Sequence, residues 1–174
     1  NVGRTNSDDP NNIIYGIGIA AVNGAYSENR GNITVAGNNA IGMYGDGNGT
    51  VMKNSGMIYL NADSASSSNK IQTMIGVFAD NGATFINEAG GVIKSGSYSS
   101  NPNVNGLIGV ALLNGSTLIN HGTIDIDASK SYGVLIRGTD TAKPIIKNYG
   151  NITISGLSSY GVKYSKAQGM TGTD

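Results

Sequence analysis

A repeat that returns along the chain is the feature that most constrains the fold of these 174 residues. Four copies begin with Asn-Gly and carry a second asparagine five residues after that glycine: NGAYSENRGNITV (23–35), NGTVMKNSGMIYL (48–60), NGATFINEAGGVI (81–93) and NGSTLINHGTIDI (114–126). A fifth copy, AKPIIKNYGNITI (142–154), keeps the asparagine without the glycine. One such repeat cannot bury its own apolar face, so repeats of this kind stack into solenoids.

A short module with glycine at its centre precedes the copies, and it occurs as IGI (17–19), IGM (41–43), IGV (75–77), IGV (108–110), YGV (132–134) and YGV (160–162). The shortest spacing, the 24 residues from Gly18 to Gly42, accommodates three short strands and three corners. Apolar residues alternate with period two within the modules, which indicates strands with one buried face. The sequence therefore predicts an all-β, right-handed parallel β-helix, a three-strand solenoid of about five to six turns. We expect one β-helix domain over 13–165, an N-terminal tail or edge over 1–12 and a C-terminal tail over 166–174.

The alternation predicts which residues face the interior. In the first strand of each turn we expect the pairs Ile41/Met43, Ile75/Val77, Ile108/Val110 and Tyr132/Val134 to point inward. In the second strand the residues expected to point inward are Val51, Phe85, Leu118 and Ile145. In the third strand the pairs expected to point inward are Ile33/Val35, Ile58/Leu60, Ile124/Ile126 and Ile152/Ile154.

The recurring asparagines are predicted to form an internal ladder of Asn29, Asn54, Asn87, Asn120 and Asn148. Buried amides are tolerated when their donors and acceptors are satisfied. Stacked at the strand spacing of about 4.8 Å, each amide can bond the next one and the nearby backbone. The alternative is that all five are exposed turn asparagines, since Asn is a common turn residue.

Two insertions, 61–73 and 95–106, follow the same strand of consecutive repeats and should emerge side by side at one corner. Long loops in compact repeats are usually functional or disordered. If this segment binds a partner, the expected contact residues are Ser66, Lys70, Ser97, Tyr98, Asn101 and Asn103, with Tyr98 as the large amphipathic contact. The alternative is that the loops are neutral insertions on a spacer, because Ser-rich stretches also form flexible linkers.

Composition excludes several function classes. Eleven basic and eleven acidic side chains cancel, so the chain has no overall charge to attract nucleic acid. The longest apolar run, 13–22, is ten residues and too short for a membrane helix, so we expect no membrane insertion by this segment. Cysteine is absent and histidine occurs once, which leaves little for thiolate or imidazole metal sites. We expect no metal and no cofactor.

The alternative function for a β-helix is a polysaccharide lyase or glycoside hydrolase, for which the candidates are Asp125, Asp127, Asp140, His121, Arg137 and Lys143. Asp125 and Asp127 alternate with inward isoleucines, so both should face solvent about 6 to 7 Å apart, a permissive spacing for paired carboxylates. Neighbouring repeats place Tyr59, Lys94 and Thr153 beside Asp125, so no second ring of acids surrounds the pair. We interpret the pair as an exposed acidic decoration, assign no catalytic residue and expect no enzyme activity.

The strand pattern N-x-G-x-I-x-[VI], followed by a Gly- or Ser-rich corner and [IY]-G-[VMI], resembles the passenger region of Gram-negative autotransporters. It is most similar to the large fusobacterial-type outer-membrane adhesins, and the resemblance covers residues 17–162. The resemblance implies a cell-surface or extracellular solenoid, anchored in the outer membrane through a C-terminal barrel. It further implies a structural or adhesive role in attachment to a protein or glycan on host cells or other bacteria. The chain shows neither the signal nor the barrel of that family, so we expect it to be part of a longer chain.

Overall fold

The computed structural model describes residues 16–139 and 141–166, and within them sixteen strands form three parallel sheets. The first sheet contains β1 (Ile17–Val22), β4 (Ala40–Asp46), β7 (Met74–Asp80), β10 (Leu107–Leu113), β13 (Tyr132–Gly138) and β16 (Tyr160–Lys166). The second contains β2 (Tyr26–Asn29), β5 (Val51–Asn54), β8 (Thr84–Asn87), β11 (Thr117–Asn120) and β14 (Ile145–Asn148). The third contains β3 (Asn32–Ala36), β6 (Met57–Asn61), β9 (Val92–Tyr98), β12 (Thr123–Ala128) and β15 (Asn151–Ser155).

Each strand pairs in parallel with the strand three positions later, so the chain visits all three sheets in every turn. Five turns of three strands, followed by β16, make a right-handed parallel β-helix, and the predicted fold is confirmed. The described residues contain no helix that could cross a membrane. The predicted N-terminal tail, 1–12, lies outside the described residues. Of the predicted C-terminal tail, 166–174, only Lys166 is described, as the last residue of β16.

The interior is an apolar core that runs through all the turns. The third strand supplies it as predicted: Ile58, Leu60, Ile124 and Ile126 are fully buried, and Ile152 and Ile154 pack against the same core from the last turn. The first and second strands add their own columns, with Met43, Val77, Phe85 and Leu118 among the fully buried side chains. Stacked turns thus share one continuous core, as solenoids require.

The first strand departs from the predicted alternation at its central glycine. Ile75 does not belong to the main core but to a separate cluster on the outer face, whereas Val77 lies in the core. A side chain at Gly76 would also point inward, because its Cβ would lie 2.8 Å from Ile93 Cγ2 and 2.5 Å from the Gly109 carbonyl oxygen. Two successive positions therefore face the core. The predicted inward orientation of Ile41, Ile75, Ile108 and Tyr132 was wrong, since all four belong to the outer cluster.

The second strand carries the asparagines, which lie in one column with side-chain hydrogen bonds from each turn to the next. The Nδ2 atoms of Asn29, Asn54, Asn87 and Asn120 donate to the following Oδ1 at 2.8, 2.9, 2.9 and 2.7 Å. The first four asparagines are buried, whereas Asn148 in the last turn is exposed. Asn87 Nδ2 also donates to the carbonyl oxygens of Gly91 and Thr123 in the adjacent corners. The donors of this buried amide are therefore satisfied.

Two predicted inward residues of the second strand were wrong by one position. Met52 is fully buried in place of Val51, and Ile146 packs against the core whereas Ile145 is half exposed. The register pairs Met52 with Phe85 and Ile146 with Leu118. These inward residues all lie two positions before the ladder asparagine, as strand parity requires.

Candidate functional site

The two long loops form one surface at the corner where the third sheet leads into the first. The Ile71 amide donates to the Asn103 carbonyl oxygen at 2.9 Å, and the Asn105 amide donates to the Ile71 carbonyl oxygen at 2.9 Å. Ile71 and Val104 form a parallel bridge and are both buried. The loops therefore lie side by side and are anchored in the core.

The residues predicted to contact a partner do not all belong to these loops. Ser66 and Lys70 are exposed on the first loop, which spans 62–73, and Asn101 and Asn103 are half-buried on the second. Ser97 is exposed but lies on β9, because that strand continues to residue 98 after a register shift against β12. The second loop is therefore 99–106 rather than the predicted 95–106.

Tyr98 is not the exposed contact residue that the sequence predicted. Its side chain is only 5% exposed, because the register shift in β9 turns it toward the core. The Tyr98 hydroxyl donates a hydrogen bond to Asp63 Oδ1 at 2.9 Å and accepts one from the Ala62 backbone amide at 2.9 Å. Burial, together with a hydrogen bond to the Tyr59 hydroxyl, raises the pKa of Tyr98. Tyr98 therefore holds the start of the first loop against the scaffold.

The candidate catalytic side chains are spread over the solenoid. Asp125 and Asp127 lie on β12 of the third sheet, whereas Arg137 lies on β13 of the first sheet and Lys143 precedes β14 of the second. Asp125 is exposed, as predicted, and its register neighbours are Lys94 and Thr153. The expectation that Asp127 also faces solvent was wrong, because Asp127 lies past the register shift against β9 and is half-buried, with its Oδ1 atom buried. The predicted candidate Asp140 lies outside the described residues. In the part of the chain that the structure describes, no three acidic or histidine side chains come together as a metal site.

His121 lies on the outside of the corner between the second and third sheets. Its ring stacks on the Tyr149 ring of the next turn, with centroids 5.0 Å apart. Glu88, which the repeat places beside it, forms an ion pair with Lys53 at 3.2 Å. His121 thus makes an aromatic contact on the surface and does not join the carboxylates of β12.

The outer face of the first sheet carries an apolar depression, which we call the first-sheet groove. Its floor is the column formed by Ile41, Ile75 and Ile108, which are only 5 to 8% exposed, and its aromatic wall is Tyr44 and Phe78. The opposite wall is the corner backbone around Thr73, where the first loop ends. One depression of about 590 Å³ over β4 and β7 adjoins another of about 350 Å³ that reaches β13.

The groove has acidic residues at one end and basic residues at the other. Asp46 and Asp80 lie in register on β4 and β7, along the edge beyond the aromatic wall. Each accepts a side-chain amide proton from a corner asparagine, at 2.7 Å for Asp46 and 2.8 Å for Asp80. At the other end, Arg137 and Lys130 line the depression over β13, and both are exposed.

The first-sheet groove was not predicted, although the sequence contains a signal for it. The segment Leu107–Leu113 reads LIGVALL, and Met74–Asp80 reads MIGVFAD. A continuous apolar run of this length indicates a strand covered on both faces. Because only one face of these strands was expected to be apolar, the outer apolar column of Ile41, Ile75 and Ile108 was not predicted.

The chain matches the family model described as the BigA third pectate lyase-like domain over residues 1–91. The match covers just over half of the 174 residues and includes strands β1 to β8. No curated protein and no solved structure matches the chain significantly. The chain belongs to this pectate lyase-like domain family.

Proposed function

We propose that this chain, as a member of the BigA third pectate lyase-like domain family, is a non-enzymatic structural and adhesive segment of a passenger of the autotransporter type. Membership of the family implies a bacterial surface protein. On this proposal the segment mediates or presents attachment to a protein or glycan on host cells or other bacteria. A C-terminal barrel elsewhere in a longer chain anchors the whole protein in the outer membrane.

The observation that carries the proposal is the arrangement of the outer surface. Two loops, 62–73 and 99–106, pair with each other at one corner, and the first-sheet groove begins where they end. The interior beneath them is filled by apolar side chains and the asparagine ladder. A rigid scaffold that presents loops is a common arrangement for recognition, because the scaffold fixes the loops while they supply the contacts.

A second candidate, a polysaccharide-cleaving enzyme, is favoured by one observation. Asp127 Oδ1 is buried and has no hydrogen-bond partner, although the Asp127 amide donates to Ser95 Oγ at 2.8 Å. Unpaired buried carboxylate oxygens are unusual in folded proteins and occur at functional sites.

Attachment is tested with beads that carry the intact chain, applied under flow to epithelial cells and to bacteria. We expect the beads to be retained several-fold better than beads carrying an unrelated protein of the same net charge. The combined change Ser66→Ala, Lys70→Ala and Asn103→Ala should lower retention at least threefold, because it removes polar groups from the paired loops.

The matched control is Ser55→Ala, Lys147→Ala and Asn151→Ala, which removes the same three residue types from exposed positions on other faces. Retention of the control variant should equal that of the parent chain. Parent beads that are retained no better than the unrelated protein would contradict an adhesive role. If the loop variant and the control variant lose the same fraction of bead retention, the paired loops are not the contact surface.

A further inference from the structure

We propose that the first-sheet groove is the contact face for a second copy of this chain. The two copies bind face to face about a two-fold axis that runs parallel to the strands and passes between β7 and β10. The inference rests on the proposed function, since it names another copy of the chain as the partner in attachment.

Side-chain sizes at equivalent positions fit this arrangement. The strand order β4-β7-β10-β13 places the axis at the centre, so it exchanges β7 with β10 and β4 with β13. Phe78 and Ala111 are in register, and the axis therefore places each Phe78 ring over the gap that Ala111 leaves in the other copy. Tyr44 faces Leu135 in the same way. The Phe78–Ala111 contact therefore brings a large side chain against a small one, and the Tyr44–Leu135 contact brings two apolar surfaces together, as a self-complementary two-fold interface requires.

Charge selects the same axis. Asp46 on β4 and Arg137 on β13 lie on one edge of the face, so the axis brings each Asp46 opposite Arg137 of the other copy. The contact occurs twice in a two-fold pair. A two-fold axis along the solenoid would instead bring Arg137 toward Lys130, a contact between like charges. Opposed charges at an interface fix its orientation and disfavour the wrong one.

The exposed chemistry of the groove favours an apolar protein face over a sugar. The aromatic rings stack on one another, Tyr44 on Phe78 at 5.7 Å and Tyr132 on Tyr160 at 6.0 Å. The Lys163 ammonium lies 4.4 Å from the Tyr160 ring centroid. Each stacked contact covers one face of a ring, so much of the surface that the groove offers to its occupant consists of ring edges and aliphatic groups.

The size of the face suits a reversible dimer. Six strands about 4.8 Å apart, each of about seven residues at roughly 3.3 Å per residue, define a face of roughly 550 Å². Two such faces bury about 1,100 Å², which lies at the lower end of specific interfaces. We therefore expect a dimer that forms and dissociates with concentration.

Sedimentation equilibrium of the intact chain over a range of concentrations tests the proposal. The parent should show a monomer–dimer equilibrium. Asp46→Arg and Arg137→Asp should each weaken association at least tenfold, because each places like charges opposite one another twice. An equimolar mixture of the two variants should dimerise as the parent does, since every contact is again between opposite charges. Asp125→Arg, an exposed change on the third sheet, is the matched control and should leave association unchanged.

A parent chain that stays monomeric at all concentrations would overturn the inference, and so would a mixture that fails to recover the dimer while both variants keep the parent circular dichroism spectrum. This outcome is separate from failure of the proposed function. Monomeric chains on beads that still adhere to cells would identify a different partner. Dimers whose beads do not adhere would leave the interface standing and remove the adhesive role.

Discussion

Replacing Asn87 with alanine is expected to lower the free energy of unfolding by about 3 kcal/mol. The substitution removes the acceptor of Asn54 Nδ2 and the donor to Asn120 Oδ1, and both of those side chains are buried. Each buried polar group left unpaired costs about 1 to 3 kcal/mol. For a chain of this length the change corresponds to a fall of roughly 6 to 12 °C in Tm.

Asn103→Ala is the matched control, because Asn103 lies in a loop and its contribution there comes from its backbone. Thermal unfolding followed by circular dichroism should show the control within about 1 °C of the parent. If the Tm of Asn87→Ala equals that of the control, the asparagine ladder contributes nothing to stability.

Replacing Gly76 with alanine is expected to destabilise the chain by about 3 kcal/mol. The added methyl group would lie 2.5 Å from the Gly109 carbonyl oxygen of the next turn, closer than any ordinary carbon contact. Neither that backbone nor the buried Ile93 can move without disturbing the core. Overpacking of this kind costs about 1 to 3 kcal/mol, and a backbone neighbour places it at the upper end of that range.

Gly31→Ala is the control for the same substitution at an open position, since an added Cβ at Gly31 meets no atom within 4 Å. Urea unfolding should show a change of less than about 0.5 kcal/mol for Gly31→Ala. A Gly76→Ala chain as stable as the parent would mean that the turns are not packed as closely as the structure shows.

The solenoid could be predicted from the sequence because its registers repeat. The third strand alternates strictly, so the inward positions of Ile58, Ile124 and Ile152 follow from parity alone. The five ladder asparagines keep one position relative to the strand end in every copy, and the structure aligns them in register.

The groove and the burial of Tyr98 were not predicted from the sequence, because alternation breaks at both places. At Gly76 two successive positions face the core, and this shift moves Ile75 to the outside. A register shift in β9 turns Tyr98 inward. Gly76 lies against the Gly109 carbonyl oxygen of the next turn, and the shift in β9 is a feature of its pairing with β12, so the residue pattern of a single turn contains neither. The groove and the true start of the second loop follow from these shifts.

The claim that the chain attaches without cleaving is tested most directly by its action on polysaccharides. The intact chain is incubated with pectate and with a panel of bacterial and host glycans in the presence of divalent cations, and newly formed chain ends are counted. We predict no more chain ends than in buffer, because Asp125, Arg137 and Lys143 lie on different sheets or corners of the solenoid. Cleavage by the parent chain that disappears in Asp127→Asn would contradict the account and identify an enzyme.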